Sequence, residues 1–446
     1  MKKIFTIIVL IFMLNIKAFA GEVDMRKLDF YESIIIALEN NKDIRAMKKA
    51  LSATEREIGI SRSSIMPKVR FFDGFTVTNN PIEAFGFKLN QTKAQSGDLA
   101  FGTLDYPGVV TNFLTSGIIE QTLYNKKAMI AIKMAKKEYS ANGYVYLRRQ
   151  EELIKKVSQA YIEIGKTQEF VEVAEIGLSE KKEHLRIAEF RYKNKGGLCS
   201  DVLRAKTEVV EAEQKLVTAK KNVDLAKGGL GMLLGREGGV EISNNTPTLQ
   251  LNHIEYYNEF SNYRNDIKAM EIQVENAKNN IKLAQADWLP TLNAVASYNA
   301  YNSGYPFGAQ GSNYIAAAFL KWDAFDGNKR KYETLKAKDK SLEAKEYLDG
   351  LKIQAKHEIG ESYLNAQEAY KNYELAQGAL KSAQDGAKMV LNRWQSSHSP
   401  FVDVLDAQTN LDRARENVVK NRNEVKTQII DLYFDSGTIK NDLAIQ

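Results

Sequence analysis

Apolar residues recur along this chain with two periods, and the longer one dominates. From Lys126 to Tyr192 there are 67 residues without a proline. Their seam runs Leu153, Val157, Ala160, Ile164, Thr167, Val171, Ala174, Leu178, Lys181, Leu185, Ala188, Tyr192 in steps of four and three. A 3.5-residue period predicts helices supercoiled against partners, here on the order of 100 Å long at 1.5 Å per residue. After Asn194-Lys195-Gly196-Gly197 the pattern returns on Val202, Ala205, Val209, Ala212, Leu216 and onward to Leu233. The shorter period marks strands. Val69, Phe71, Phe75 and Val77 share one face of a run from Lys68 to Thr78, with Asp73 breaking the alternation. Thr291 to Tyr301 places Leu292, Ala294, Ala296, Tyr298 and Ala300 opposite Asn293, Ser297 and Asn299. Two further runs, Thr111–Tyr124 and Tyr314–Phe325, are apolar but alternate less cleanly.

The second half repeats the first. Arg191-Tyr192 and Asp201-Val202-Leu203 return 202 positions later as Arg393-Trp394 and Asp403-Val404-Leu405. Asn41-Lys42-Asp43-Ile44 returns as Arg264-Asn265-Asp266-Ile267, and Pro67 as Pro290, 223 positions on. The first copy therefore carries about 21 extra residues, placed in the Asn-, Gly- and Pro-rich loop from Asn79 to Pro107, where insertion is tolerated. The predicted first repeat spans 21–235: a helix, a β-hairpin at 68–124, a long helix at 126–194 and a return helix at 200–235. A looser connection follows at 236–260. The second repeat spans 261–437, with a hairpin at 290–325, a long helix at 327–396 and a return helix at 401–436. A tail occupies 438–446.

Composition narrows the function classes. Lys2-Lys3, the apolar run Ile4–Leu14 and Ala18-Phe19-Ala20 read as a signal peptide over residues 1–20. Its removal takes Lys2, Lys3 and Lys17, lowering the net charge from +6 to +3, too mild to suggest nucleic acid. Mean hydropathy is −0.38, and no later run is long and apolar enough for a membrane helix. The lone Cys199 excludes an intrachain disulfide framework and a cysteine metal cluster. His184, His253, His357 and His398 are scattered, and no hydrolase or metalloprotease motif is present, so no enzyme, cofactor or metal is expected. His184 and His357 are expected on solvated helix faces.

Four strands of about ten residues match the length of a tilted membrane strand. Four cannot close a barrel, and open edges in hydrocarbon leave backbone groups unsatisfied at several kcal/mol each. Several subunits pooling their strands would resolve this. Phe71, Phe75, Tyr298 and Tyr301 are then candidates for the aromatic girdles of the barrel. A periplasmic coiled-coil adaptor is the alternative, but it predicts one helical hairpin rather than two.

The ordered, duplicated features resemble the TolC-like outer-membrane efflux protein family over essentially the whole mature length. They are Ala37-Leu38-Glu39-Asn40-Asn41 with Ile44, the strand entries Met66-Pro67 and Leu289-Pro290, the exits Leu123-Tyr124-Asn125 and Phe325-Asp326-Gly327, and both Asp-Val-Leu motifs. The segment Pro81–Asn90 resembles a surface loop of one subgroup. The resemblance implies a mainly α fold with a β membrane portion. It implies a homotrimer with a twelve-stranded β-barrel in outer-membrane lipid, continued by a twelve-helix α-barrel in the periplasm of a diderm bacterium. It further implies an exit duct for a tripartite efflux pump or a type I secretion system, working with a periplasmic adaptor (membrane fusion protein) and an inner-membrane pump. The tips meeting that adaptor would carry Gly196, Gly197, Ser200, Asp201, Val202, Ser399, Pro400, Asp403 and Val404. The two glycines are expected to make the first turn and Ser200-Asp201 to cap the returning helix. Family channels narrow near this end through acidic residues. The position expected to be acidic is Lys388 here, and Asp385, one turn earlier, is the substitute for a gate.

Overall fold

The computed structural model describes residues 27–243 and 245–445, so the signal-peptide segment lies outside the described residues. The elements run α1 (Phe30–Asn40), α2 (Lys42–Ser63), β1 (Lys68–Thr78), α3 (Pro81–Asn90), α4 (Phe101–Asp105), β2 (Val110–Tyr124), α5 (Lys126–Lys193) and α6 (Cys199–Leu233). They continue α7 (Ile254–Phe260), α8 (Asn265–Ala286), β3 (Thr291–Asn302), β4 (Gly311–Lys321), α9 (Lys329–Gln395), α10 (Phe401–Ser436) and α11 (Ile439–Asp442). The molecule is mainly helical with one small sheet. Helices α5 and α9, of 68 and 67 residues, correspond at the 202-residue offset. No helix among the described residues is long and apolar enough to cross a membrane.

The chain forms two compact units. One combines the described part of Met1–Arg45 with Arg149–Ser261 and Ala355–Gln446. Its center is tied by tyrosines. The Tyr161 hydroxyl donates to the carbonyls of Ser243 and Leu28, beside the isolated bridge Leu28–Ile242, and its ring meets Phe30 edge-on at 5.4 Å. The Tyr433 hydroxyl donates to the Gln250 carbonyl at 2.7 Å and accepts from the Gln250 amide at 3.0 Å. The connection near 236–260 is thus pinned through its backbone. The tail is also packed, with Ile439 and Leu443 buried. Asn41 separates α1 from α2. Its Oδ1 accepts from the amides of Asp43 and Ile44, and its Nδ2 donates to the Leu233 carbonyl at 2.9 Å.

The other unit combines Ala46–Arg148 with Asn262–Gln354. Here Arg264 stands where the first repeat has Asn41. It makes no side-chain cap, and its guanidinium instead pairs with Asp266 at 2.7 Å. The sheet is antiparallel in the order β1-β2-β3-β4. The segment expected as loop from Asn79 to Pro107 is largely folded, a correction. Asn80 caps α3 by accepting from the Ile82 and Glu83 amides, with Pro81 at the first turn. Gln91, 1% exposed, then fastens the segment to β2 through the Thr111 carbonyl and Asn112 Oδ1, both at 2.9 Å.

Candidate functional site

The strand register sorts the sheet into two chemically distinct faces. Phe75 pairs with Phe113, Phe71 with Gly117 and Val69 with Ile119. Gly117 and Ile119 pair onward with Tyr298 and Ala296, which pair with Tyr314 and Ala316. Because side chains alternate across a strand, these share one apolar face. Polar residues interrupt it, among them Asp73, whose Oδ1 accepts from the Thr115 hydroxyl at 2.6 Å between Phe71 and Phe75. Gly117 is exposed, with open space where a side chain would stand, between Phe71 and Tyr298 on the neighbouring strands.

The opposite face carries a polar ladder. The Ser116 hydroxyl bonds Asn299 Oδ1 at 2.6 Å, Asn299 Nδ2 donates to Asn313 Oδ1 at 3.0 Å, and Arg70 pairs with Glu120. Strand β2 alternates poorly because Leu114 and Ile118 also lie on this face. Of the four aromatics singled out from the sequence, Phe71, Phe75 and Tyr298 share the apolar face, while Tyr301 lies on the polar one, its hydroxyl 3.4 Å from Asn313 Nδ2. Strands β1 and β4 are both edges, each leaving one row of backbone groups without a ladder partner.

In the helical unit the two hairpin tips are built alike. Gly196 N donates to Arg191 O at 2.9 Å, and His398 N to Arg393 O at 2.8 Å. Lys195 N donates to Tyr192 O, and Ser397 N to Trp394 O. The left-handed residues are Lys195 at φ 62° and Ser397 at φ 61°, not the glycines, which corrects the expected turn. Gly197 serves close approach instead: a Cβ there would stand 3.0 Å from Arg191 Cβ and 3.1 Å from Tyr192 N. The expected cap is also corrected. Leu198 and Pro400 hold the N-cap positions of α6 and α10 without side-chain bonds, and the amides of Asp201 and Asp403 close local turns to them.

Val202 and Val404 are buried in a cluster with Ala188, Ala205, Trp394 and Phe401. Over it lies Arg191, its guanidinium 4.8 Å from the Trp394 ring center. It donates to the carbonyls of Trp394 and Gly196 and to Ser397 Oγ, joining both turns. Sequence reading found Arg191 only as a repeat marker. The signal was the Arg-Tyr and Arg-Trp pairs themselves.

Farther up the hairpins, α5 is bolted to α10. Arg415 grips Glu180 with both terminal guanidinium nitrogens, at 2.6 and 2.7 Å, and Gln408 donates to the same carboxylate at 2.6 Å. Lys181, 5% exposed, lies 3.1 Å from Glu208 and 3.6 Å from Asp412. Burial pushes the Glu180 carboxyl up, but the hydrogen bond and charge of Arg415, with Gln408, leave it below the usual carboxylate range. His184 is buried here rather than solvated, the opposite of what its helix face suggested, because α10 covers it. Its Nδ1 has no hydrogen-bond partner, and burial lowers its pKa despite the carboxylates of Glu180, Glu183 and Asp412 nearby. His357 is exposed. Of the gate candidates, Asp385 and Lys388 are both exposed on α9, and Lys388 lines a groove of about 520 Å³ with His184 and Arg415. No group of three or more His, Cys, Asp or Glu among the described residues is arranged to hold a metal.

The model of the outer membrane efflux protein family matches residues 34–236 and 257–438. No curated protein matches the chain. Several solved structures share the fold. A membrane protein from Pseudomonas aeruginosa superposes with a TM-score of 0.79 at 17% identity, covering 92% of each chain. The outer membrane protein VceC from Vibrio cholerae gives 0.77 at 18%, covering 92% of this chain and 96% of its own. The Campylobacter jejuni CmeC outer membrane channel gives 0.74 at 15%, covering 92% and 86%.

Proposed function

The chain belongs to the outer membrane efflux protein family, and we propose that it is the outer-membrane exit duct of a tripartite efflux pump or type I secretion system. The observation that carries this reading is the open sheet, with one apolar face, one polar face and two edges. In lipid every backbone donor and acceptor needs a partner, so such a sheet is stable only when its edges are joined. Three copies would bring twelve strands, turning the apolar face to lipid and the polar ladder to a water-filled lumen. Transport through it is passive, and the driving energy belongs to an inner-membrane pump.

The helical hairpins form the periplasmic tunnel. We assign to both tips, from Gly196 to Val202 and from Ser399 to Val404, the contact with a periplasmic adaptor. The Arg191 clamp supports this by holding the two turns as one rigid surface. We assign the tunnel constriction to Asp385 and Lys388, both exposed on α9 near that end.

Purified mature protein should run as a detergent-resistant trimer from the outer-membrane fraction and open ion-conducting pores in planar bilayers. A lipid-indifferent monomer without conductance would overturn the reading. Comparing drug sensitivity with loss of a secreted protein in a deletion strain separates the two transport classes.

A further inference from the structure

At the end of the sheet opposite the starts of α5 and α9, the two hairpins are connected very differently. Eight residues, 303–310, join β3 to β4, whereas 31, 79–109, join β1 to β2. The shorter connection shows that a hairpin closes here without a folded insertion. The longer one is nonetheless built as a body. Asn80 caps α3, Lys88 pairs with Asp98 at 2.8 Å, and Asp98 Oδ2 accepts from the Gln95 amide at 2.8 Å. The short turn lies against the apolar face, where Phe307 stacks on Phe71. The insertion lies against the polar one. Gln91 bonds Asn112, which shares that face with Ser116, and a Cβ on Gly311, paired with Tyr301 on the same face, would run into Asn90 O and stand 3.3 Å from Thr92 Cγ2. The Thr92 hydroxyl donates to the Gln310 carbonyl at 2.9 Å, and Lys93 donates to Ser303 Oγ. The amphipathic sense of α3 is inverted for this position. Ala84 and Gln91, seven residues apart, are on its buried face. On the opposite face Ile82, Gly86 and Leu89 form an i, i+4, i+7 stripe, with Ile82 85% and Leu89 53% exposed and no atom within 4 Å of the place a Gly86 Cβ would take.

We infer that the insertion is a fixed constriction in the outer mouth of the duct, in which the α3 stripes of the three copies meet on the axis, and that the cargo is therefore small molecules rather than folded or helical polypeptide. The inference rests on the trimeric duct reading above, which turns the polar face of the sheet to the lumen. Size decides what covers the stripe. Twelve strands about 4.8 Å apart, tilted by about 40°, close at a diameter of about 24 Å between backbones. Three helices about 10 Å across, set side by side, already need a circle of about 22 Å. Three copies of α3 held on the inner wall thus come into contact with one another. Ile82 and Leu89 leave water by packing on their own equivalents, and Gly86 between them lets the backbones approach. Only narrow gaps are left around the three helices, and a polypeptide segment in helical form, about 10–12 Å wide, does not fit through them. The insertion is no free lid, because its buried glutamine, its ion pair and its bonds to both ends of the short turn hold it at once to β2 and to the β3–β4 connection.

Two experiments test this, both in a Cys199→Ser background. First, Ile82→Cys and Leu89→Cys are made singly; both side chains are exposed, so neither change disturbs the folded insertion. A short tris-maleimide should convert the purified trimer of at least one variant into covalent trimer. A light-scattering trimer that gives no covalent product from either variant overturns the constriction and leaves the duct reading standing, whereas a monomer overturns both. Second, Ser297→Cys places a thiol on the polar face, nearer the helices than the insertion. On whole cells a small charged methanethiosulfonate should modify it, and a maleimide carrying a long polyethylene glycol chain should not. Replacing residues 79–109 with the eight residues 303–310 should then admit the large reagent, raising its modification rate by at least tenfold. Modification by the large reagent with the insertion in place overturns the size limit, and modification by neither overturns the passage of small molecules. If the replacement does not assemble, the covalent trimer and the two reagents on the intact insertion still decide.

Discussion

Arg191 concentrates more bonds on one side chain than any other residue at the tips. It stacks on Trp394 and donates to two carbonyls and one hydroxyl. Arg191→Ala removes a cation–π contact and several charge-assisted bonds, about 1–3 kcal/mol of local stability. Amide hydrogen exchange at 194–200 and 396–399 should accelerate by roughly tenfold or more, with adaptor affinity falling in parallel. Arg191→Lys should recover little, since an ammonium cannot present the planar fork that reaches all three acceptors. His184 sets a second residue-scale expectation. Its folded pKa lies below the ordinary value of 6.5 because burial disfavors the charged ring. The unfolded chain then binds the proton more readily, so His184 supports full stability above about pH 6.5 and loses it as pH falls through that value toward the folded pKa. Melting of the purified protein should weaken from about pH 7.5 to about pH 5.5, and His184→Gln should flatten that slope. The carboxylates held low by their partners, Glu180 and Asp266, act at more acidic pH than the histidine.

Individual elements show where local pattern suffices and where it does not. Alternation along β3 assigns Ala296 to the apolar face and Ser297 to the polar one, and the register agrees residue by residue. Ala296→Lys therefore places a charge against lipid at a cost of about 2–4 kcal/mol near the bilayer midplane. Detergent-resistant trimer should be lost for Ala296→Lys and retained for Ser297→Lys; equal behavior would place both faces in water. The start of α2 carries the same kind of test. Asn41→Ala removes the cap on Asp43 and Ile44 and strands the Leu233 carbonyl, costing about 1–2 kcal/mol, read as a lower unfolding midpoint. Helix extents were legible because a 3.5-residue seam sustained over many turns has no strand-like alternative, and the repeat checks each half against the other. The folded segment Pro81–Asn90 was masked by its Gly and Asn content, though Asn80-Pro81 is itself a helix start signal. The burial of His184 and the Arg415 grip on Glu180 join helices more than two hundred residues apart, and no local period encodes that meeting.

At the scale of the whole molecule, one duplication has yielded two hairpins that are no longer equivalent. The two copies have diverged at the positions where α5 meets α10. Ionic fasteners gather at Glu180, Lys181 and Glu169, facing α10 of the same chain, and their counterparts on α9 are Ser382, Ala383 and Lys371. Within the chain, those ion pairs couple the first hairpin to α10. Arg415→Met tests that coupling directly. It leaves Glu180 half-buried with only Gln408 to donate to it, at a cost of about 1–3 kcal/mol for a pair partly screened by solvent. Trimer yield should hold, because the lost bond lies inside the subunit, while resting leak through planar bilayers rises as the two hairpins part independently. Replacing both partners, Glu180→Leu with Arg415→Met, should restore much of the stability by removing the unpaired charge. It should leave the leak, since the apolar pair no longer fixes one hairpin against the other with directional bonds. Loss of trimer in either variant, with no leaky intermediate, would mean that the ion pair serves assembly rather than coupling.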